Sequence, residues 1–223
     1  MNVIMLGAPG AGKGTQSERV ARQRGLPKIA TGDILRQGIK DELPVALVAK
    51  AKMDRGELVD DETMVAIVRE RLTQPDTHAG FILDGFPRTV SQARSLDRII
   101  DERGNGSLVV IDIVVAEEEL VRRLAGRRIC SKCGENASPA DGATCRRCGG
   151  VPVQRLDDSE SVVIERLKVY TLRTKPLVEY YRDRPTFRTV NGAQPPDRVA
   201  QDMDATSDDV VGRGARATLG AQG

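Results

Sequence analysis

The chain has 223 residues, of which 39% are hydrophobic, so it can bury a sizeable core and form one domain or a core with an inserted module. Its 34 basic and 32 acidic residues leave a net charge of +2 and are interspersed, so no strong field favours nucleic acid or an anionic membrane. Aromatic residues are only 3%, Trp is absent, and the longest near-apolar run, Leu108 to Ala116, is too short to span a bilayer.

Short β-rich runs alternate with helical stretches along most of the chain. The predicted strands are Asn2 to Leu6, Lys28 to Ala30, Phe81 to Asp84, Leu108 to Val115 and Phe187 to Val190. Helices are predicted from Lys13 to about Arg24, from near Thr31, from about Thr89 to Glu102 and around Glu117 to Leu124. Because parallel strands need helical crossovers, this alternation predicts an α/β fold with a parallel sheet covered by helices on both faces.

Two internal segments and the C-terminal end break this alternation. Pro44 to Arg71 reads as two helices, one ending near Gly56 and one starting after Asp60 and Asp61, which predicts a small helical insertion. Residues 128 to 156 contain all four cysteines and no sustained periodicity, so a bound metal is expected to supply their missing core. The stretch from about Asp204 to Gly223 has little to bury, which predicts a disordered tail over 204–223.

The cysteines form two Cys-x-x-Cys pairs separated by eleven residues, namely Cys130 with Cys133 and Cys145 with Cys148. This spacing is typical of a zinc ribbon, in which four thiolates complete one tetrahedral site. Disulfides or free thiols are the alternative. The N-terminus lacks the basic stretch and cleavage site of a signal peptide, so a cytoplasmic location is expected, and a reducing compartment disfavours disulfides.

A glycine-rich segment, Gly7-Ala8-Pro9-Gly10-Ala11-Gly12-Lys13-Gly14-Thr15, directly follows the first predicted strand and opens a helix. In this phosphate-loop pattern, glycines let successive backbone N–H groups converge on phosphate oxygens, and the lysine reaches the outer phosphates. Gly14 stands where the general motif has the Ser or Thr that binds Mg²⁺, and the hydroxyl comes one residue later. The segment therefore predicts a nucleotide-binding loop with an altered magnesium position.

Five further motifs follow the phosphate loop in chain order. They are Thr31-Gly32-Asp33 with Arg36, Gly56-Glu57-Leu58-Val59, Asp84-Gly85-Phe86-Pro87-Arg88 with Gln92, Gly126-Arg127-Arg128, and Arg155-Leu156-Asp157-Asp158 with Arg166. With these motifs the chain, from Asn2 to about Val199, resembles the adenylate kinase family of nucleoside monophosphate kinases. The resemblance implies a five-stranded parallel core (1–30, 72–127 and 157–203), a helical domain that binds the nucleoside monophosphate (31–71) and a zinc-ribbon lid (128–156). Many bacterial members carry a four-cysteine lid, although the stretch between the cysteine pairs is shorter here than is usual.

The resemblance also implies which residues meet each substrate. The expected ATP-binding residues are Gly10, Ala11, Gly12, Lys13, Gly14, Thr15, Arg123 and Arg127. The expected AMP-binding residues are Thr31, Arg36, Glu57, Leu58, Val59, Gly85, Arg88 and Gln92. Lys13, Arg88, Arg123, Arg155 and Arg166 are expected to act on the transferring phosphoryl group, with Asp84 as the carboxylate that holds Mg²⁺. Asp33 either assists Asp84 or caps a helix, and Asp157 and Asp158 are expected to clasp the lid when it closes.

These roles imply the Mg²⁺-dependent reaction ATP + AMP = 2 ADP, catalysed by positioning, charge stabilisation and lid closure in a monomer with a structural Zn²⁺. Two alternatives stay open. A uridylate or cytidylate kinase would share the loop and the arginines but usually has a short lid without zinc and a different residue at the position of Thr31. A zinc-ribbon protein that reads nucleic acid is disfavoured, because the basic residues are spread over the phosphate motifs and aromatic residues are scarce.

Overall fold

The computed structural model of the protein describes residues 1–104, 106–137 and 142–206. The described strands are β1 (Asn2–Leu6), β2 (Lys28–Ala30), β3 (Phe81–Asp84), β4 (Leu108–Val114), β5 (Arg128–Cys130), β6 (Asn136–Ala137), β7 (Pro152–Gln154) and β8 (Phe187–Asn191). The described α-helices are α1 (Lys13–Arg24), α2 (Thr31–Lys40), α3 (Pro44–Asp54), α4 (Asp61–Leu72), α5 (Val90–Arg103), α6 (Glu117–Ala125), α7 (Glu160–Val169), α8 (Pro176–Tyr181) and α9 over residues 196–206. No helix among these residues is long and apolar enough to cross a membrane.

The main sheet has five parallel strands in the order β2-β3-β1-β4-β8, which confirms the predicted fold class. Each predicted strand lies within one residue of its observed bounds. Since all five strands run in the same direction, their carboxyl ends gather along one edge of the sheet, where open α/β sheets bind ligands. The phosphate loop follows β1 at this edge, and Asp84 ends β3 beside Met5 of β1.

The sheet is buried on both faces. Ile4 and Leu6 of β1 join one apolar cluster, which includes side chains of α4, α5 and α8, while Val3 and Met5 join a second cluster with side chains of α1, α6 and α7. Successive side chains of a strand point to opposite faces, so a strand covered on both sides is expected to be largely apolar with no alternation. Strand β1 is accordingly apolar from Val3 to Leu6, after the buried polar residue Asn2.

Local signals fix the ends of several helices. The side chain of Asp60 accepts a hydrogen bond from the backbone N–H of Thr63 (2.9 Å) and so caps the start of α4. Thr89 caps α5 in the same way, through the N–H of Gln92 (3.1 Å), so this helix starts one residue later than predicted. Capping residues therefore explain where α4 and α5 begin.

Both predicted interruptions contain regular structure between strands of the main sheet, and side chains of the first join its apolar cluster. Helices α2, α3 and α4 make up the insertion after β2, and β5, β6 and β7 form a separate antiparallel sheet in the order β6-β5-β7. Helix α9 extends to residue 206, so the first three residues of the predicted tail are helical. The rest of that tail, 207–223, lies outside the described residues.

Candidate functional site

The phosphate loop connects β1 to α1 at the carboxyl edge of the main sheet. Gly12 caps α1 with a φ of 98°, in the left-handed region that favours glycine, so the chain can turn directly into the helix. The first turn of α1 contains no acidic residue. Its free N–H groups and the positive end of the helix dipole therefore face the loop and favour an anion there.

Lys13 is held against the loop from which it projects. Its Nζ donates hydrogen bonds to the carbonyl oxygens of Gly7 (2.7 Å) and Ala8 (2.9 Å). Burial lowers the pKa of Lys13 to about 8, and the positive charges of Arg88, Arg166 and Arg127 add to this shift, while Asp84 opposes it. The ammonium thus lies within the field of several cations, where an incoming phosphate would stabilise its charge.

Thr31, Gly85 and Arg88 meet at one carbonyl oxygen. Thr31 Oγ1 (3.0 Å) and Arg88 Nε (2.9 Å) both donate to the oxygen of Gly85. Gly85 has a φ of 82°, and a Cβ there would lie 3.1 Å from Thr31 Oγ1, so the site requires glycine for both its backbone conformation and its close packing. Burial lowers the pKa of the Arg88 guanidinium, and the carboxylate of Asp84 opposes that shift.

Gln92 is almost completely buried behind Arg88. Its Oε1 accepts from the backbone N–H of Arg88 (2.7 Å), and its Nε2 donates to Asp61 Oδ1 (2.8 Å). Thr174, in the π-helical turn Tyr170–Thr174, donates to the backbone oxygen of Arg88 (2.9 Å). Sequence reasoning missed Asp61 and Thr174, because they lie 31 and 86 residues from their partners and no local pattern marks them.

Asp157 and Asp158 bind arginines from both ends of the lid. Arg127 contacts Asp158 through Nε (2.6 Å) and a terminal nitrogen, and Arg155 contacts Asp157 through two hydrogen bonds of 2.9 Å. Arg166 donates to Asp158 Oδ1 (3.0 Å) and to the backbone oxygen of Asp157 (2.9 Å). Burial alone would raise the pKa of Asp157, but Arg155, Arg166, Arg36 and Arg127 outweigh it and lower that pKa. The pair of carboxylates thus fixes three arginines.

The other sequence-predicted residues lie around this centre. Arg36 pairs with Asp33 in α2, and Ala30 is the capping residue of that helix, so Asp33 is not its cap. Arg123 donates to Glu119 Oε1 (2.6 Å), one turn earlier in α6. Glu57 is exposed and paired with Arg55 (2.8 Å), Leu58 is half-buried and Val59 is buried.

The insertion and the lid both approach the phosphate loop and its neighbours. A Cβ built on Gly14 would lie 3.4 Å from Asp84 Oδ2 and 3.5 Å from Asn136 Nδ2, so the lid strand β6 reaches over the loop. A Cβ on Gly56 would lie 2.9 Å from Arg166 Cγ, so the end of the insertion packs on α7. Mutual electrostatic interactions link six cationic side chains from separate segments, and we call them the cation cluster: Lys13, Arg36, Arg88, Arg127, Arg155 and Arg166.

The four cysteine sulfurs also come together. The Sγ atoms of Cys130 and Cys148 are 3.4 Å apart, those of Cys133 and Cys145 are 3.7 Å apart, and all four lie within 4.8 Å of one another. Tetrahedral Zn²⁺ with Zn–S bonds of about 2.3 Å needs sulfurs about 3.8 Å apart. A hydrogen bond from the backbone N–H of Cys133 lowers the pKa of Cys130 to about 6, whereas at Cys133 the backbone N–H of Glu135 is outweighed by burial and the neighbouring thiols, which raise the pKa to about 12. Of these two thiols, Cys130 therefore more readily becomes the thiolate that a metal binds.

A phosphate loop on a parallel sheet, with a second group of cations near the same carboxylate, is typical of an enzyme that brings two phosphorylated molecules together. Comparison with known proteins specifies this class further. The family model described as adenylate kinase matches residues 5–186. Curated adenylate kinases of Archaeoglobus fulgidus and of a Geobacillus strain are each 46% identical, over 92% and 91% of this chain and 97% and 96% of their own lengths. The adenylate kinase of Bacillus subtilis is 44% identical over 95% of this chain and 98% of its own length. The chain belongs to the adenylate kinase family.

Proposed function

We propose that the protein catalyses the reversible reaction ATP + AMP = 2 ADP. The observation that carries this proposal is the placement of two candidate anion-binding sites on either side of Asp84, one after β1 and one after β2. One site is the phosphate loop with Lys13, and the other is the meeting point of Thr31, Gly85 and Arg88. Membership of the adenylate kinase family supports the assignment of ATP to the first site and AMP to the second.

The chain's own residues would position the phosphoryl group and neutralise its charge. Lys13 and the helix N-terminus of α1 bind the outer phosphates of ATP, and Arg88 binds the AMP phosphate across the gap. Arg127, Arg155 and Arg166 surround the group in transfer, since they are already fixed by Asp157 and Asp158. Because the reaction spreads negative charge over phosphate oxygens, cations that are fixed before binding lower its barrier.

Arg123 belongs to the ATP side of the proposed site, together with Gly10, Ala11, Gly12, Gly14, Thr15 and Arg127. Arg36, Gln92 and the segment Glu57 to Val59 belong to the AMP side. Closure of the 128–156 lid over both nucleotides would exclude water that could otherwise accept the phosphoryl group. The contact of Asn136 with the loop at Gly14 supports this role of the lid.

Two metal ions fit the donor groups present. Asp84 offers Mg²⁺ the carboxylate oxygen that this ion prefers, next to Gly14 of the loop, and bound Mg²⁺ would supply charge neutralisation at the phosphates of ATP. The four cysteines fit Zn²⁺ as a closed structural site, which would hold the lid sheet together. We further propose that the protein works as a monomer in the cytoplasm.

A coupled assay of ADP formation with ATP and each of AMP, UMP and CMP tests the proposed reaction. AMP should be the preferred acceptor, and removal of Mg²⁺ with a chelator should abolish turnover. Arg88→Ala serves as the control against a contaminating kinase: it should lower turnover by orders of magnitude with an unchanged fold, because a contact to the transferring group is lost. Preference for UMP or CMP, or full activity of Arg88→Ala, would contradict the proposal.

A further inference from the structure

Asp61 makes its hydrogen bonds away from its own helix. It is the first residue of α4, yet its two carboxylate oxygens accept from Gln92 Nε2 (2.8 Å) and Thr89 Oγ1 (2.8 Å), both at the start of α5. Its neighbour Asp60 already caps α4 through Thr63, so the helix start does not need Asp61. The carboxylate instead connects the insertion to the helix that follows Arg88.

The contacts of Gln92 fix which end of its amide points where. An ionised carboxylate can only accept a hydrogen bond, so the group facing Asp61 must be the amide nitrogen. The backbone N–H of Arg88 can only donate, so the group facing it must be the amide oxygen, at 2.7 Å. A rotated amide would place oxygen against carboxylate and N–H against N–H, which leaves buried polar groups unsatisfied.

These two contacts leave Gln92 one N–H and one acceptor lone pair. Adenine presents an amino donor beside a ring-nitrogen acceptor, which complements such a pair, whereas guanine presents a carbonyl acceptor beside a ring N–H donor. A free amide could rotate by half a turn and accept either base. An amide that cannot rotate distinguishes them.

We propose that Asp61 is a specificity-determining positioning residue, which holds the Gln92 amide in the orientation that suits adenine and excludes guanine. This inference rests on the proposed placement of Gln92 in the AMP site. Asp61 has no contact with the reacting groups in this role and acts only through Gln92. Substitution of Asp61 should therefore change the preference between AMP and GMP and leave the binding of ATP unaltered.

The test compares wild type with Asp61→Asn, which keeps the size of the side chain but can donate as well as accept. Dissociation constants for AMP and for GMP are measured by calorimetry, and kcat/KM is measured with each acceptor. When the wrong base leaves a buried polar group unpaired, that base should bind about 5- to 150-fold more weakly than the right one. The preference for AMP over GMP should fall at least about fivefold in Asp61→Asn, with the KM for ATP and the melting temperature nearly unchanged.

Asp60→Asn is the matched control, since it removes the same charge from the preceding residue without touching Gln92; it should leave the preference unaltered. In a Gln92→Ala background, Asp61→Asn should have no further effect on the preference, because the amide it orients is gone. Should Asp61→Asn destabilise the fold, Asp61→Ser provides a second variant, since it removes the carboxylate that holds the Gln92 amide and leaves Thr89, the cap of α5, in place.

A preference that stays within twofold of wild type in Asp61→Asn, or in Asp61→Ser where the first variant does not fold, overturns the role of Asp61. An equal change in Asp60→Asn overturns it as well, because the effect would then be one of charge. Either result leaves the proposed reaction standing if wild type still uses AMP. Wild type that fails to bind AMP refutes the proposed function first and this inference with it.

Discussion

At the scale of single residues, Lys13 shows how a binding site can weaken the free protein. Its pKa is lowered from 10.5 to about 8, chiefly by burial, with contributions from Arg88 and Arg166. Between these two pH values the unfolded chain binds more protons than the folded one, so this residue makes stability rise with pH there. Below about pH 8 the full cost of the buried cation is present, and a bound phosphate would remove it.

This shift predicts that ATP binding takes up protons near pH 8. At that pH about half of the Lys13 side chains are neutral, and the phosphates of ATP raise the pKa by favouring the charged form. Calorimetry in buffers of different ionisation enthalpy should show uptake of up to about half a proton per ATP at pH 8. Lys13→Arg is the control, because arginine does not titrate in this range and should show no such uptake. Equal uptake in the two proteins would mean that another group takes up the protons.

Asp61 and Lys13 also differ in what the sequence could reveal. Lys13 lies in a contiguous loop whose spacing carries its own physical meaning, so its role is readable from nine consecutive residues. Asp61 acquires its role from a partner 31 residues away, and in the sequence it reads as a plain helix start. Contacts of this kind depend on how elements pack, which no local pattern encodes.

At the scale of elements, the lid differs from the main sheet because it buries little apolar surface and contains the four clustered cysteines. Its three strands have only two or three residues each, and Val151 and Val153 are exposed, so apolar burial contributes little to its stability. The four sulfurs within 4.8 Å of one another are its densest cluster of potential ligands. A bound metal would therefore supply folding free energy that the main sheet obtains from its two apolar clusters.

Native mass spectrometry should accordingly find about one zinc per chain, as four thiolates complete one closed site. Cys130→Ser or Cys145→Ser should lose the metal and increase hydrogen exchange in the lid, while amides of the five-stranded sheet stay protected. Ser131→Ala, in the same turn but without a ligand atom, is the control and should keep both metal and protection. A structural zinc would be contradicted if protein purified from a reducing cytoplasm contained no metal. It would also be contradicted if hydrogen exchange in the lid were the same in the cysteine variants as in wild type.

Strands β1, β3 and β4 of the main sheet were predictable because each is a short run of mainly apolar residues, as with β1 before the phosphate loop. The lid sheet was not, since the sequence of β5 to β7 has no period and its strands pair across the cysteine-containing turns. Among the site residues, the sequence motifs identified the arginines, but they did not show which carboxylate pairs with which arginine. That Asp158 would hold Arg127 and Arg166 together became visible only in the packed structure.

At the scale of the whole molecule, the positive and negative charges are unevenly distributed, although the net charge is only +2. The cation cluster contains six positive side chains, and five carboxylates of the described residues face or pair with its members, namely Asp33, Asp84, Asp112, Asp157 and Asp158. Burial, together with Arg127 and Arg155, lowers the pKa of Arg166 to about 10, although Asp157 and Asp158 oppose the shift. The nucleotide-free protein thus keeps excess positive charge in one half-buried space, and phosphate groups would neutralise it.

Phosphorylated nucleotides should therefore stabilise the protein more than the same base without phosphates. ADP at one hundred times its dissociation constant adds about 2.7 kcal/mol to the free energy of unfolding, which for a chain of this size corresponds to roughly 5 to 11 °C in melting temperature. Adenosine at the same concentration should give little increase, because it offers no charge to the cation cluster. Arg88→Ala should reduce the effect of ADP, and raised salt should reduce it further by screening. Thermal unfolding followed by circular dichroism measures all four cases. If adenosine raised the melting temperature as much as ADP does, base contacts, and not neutralisation of the cation cluster, would be what stabilises the nucleotide-bound protein.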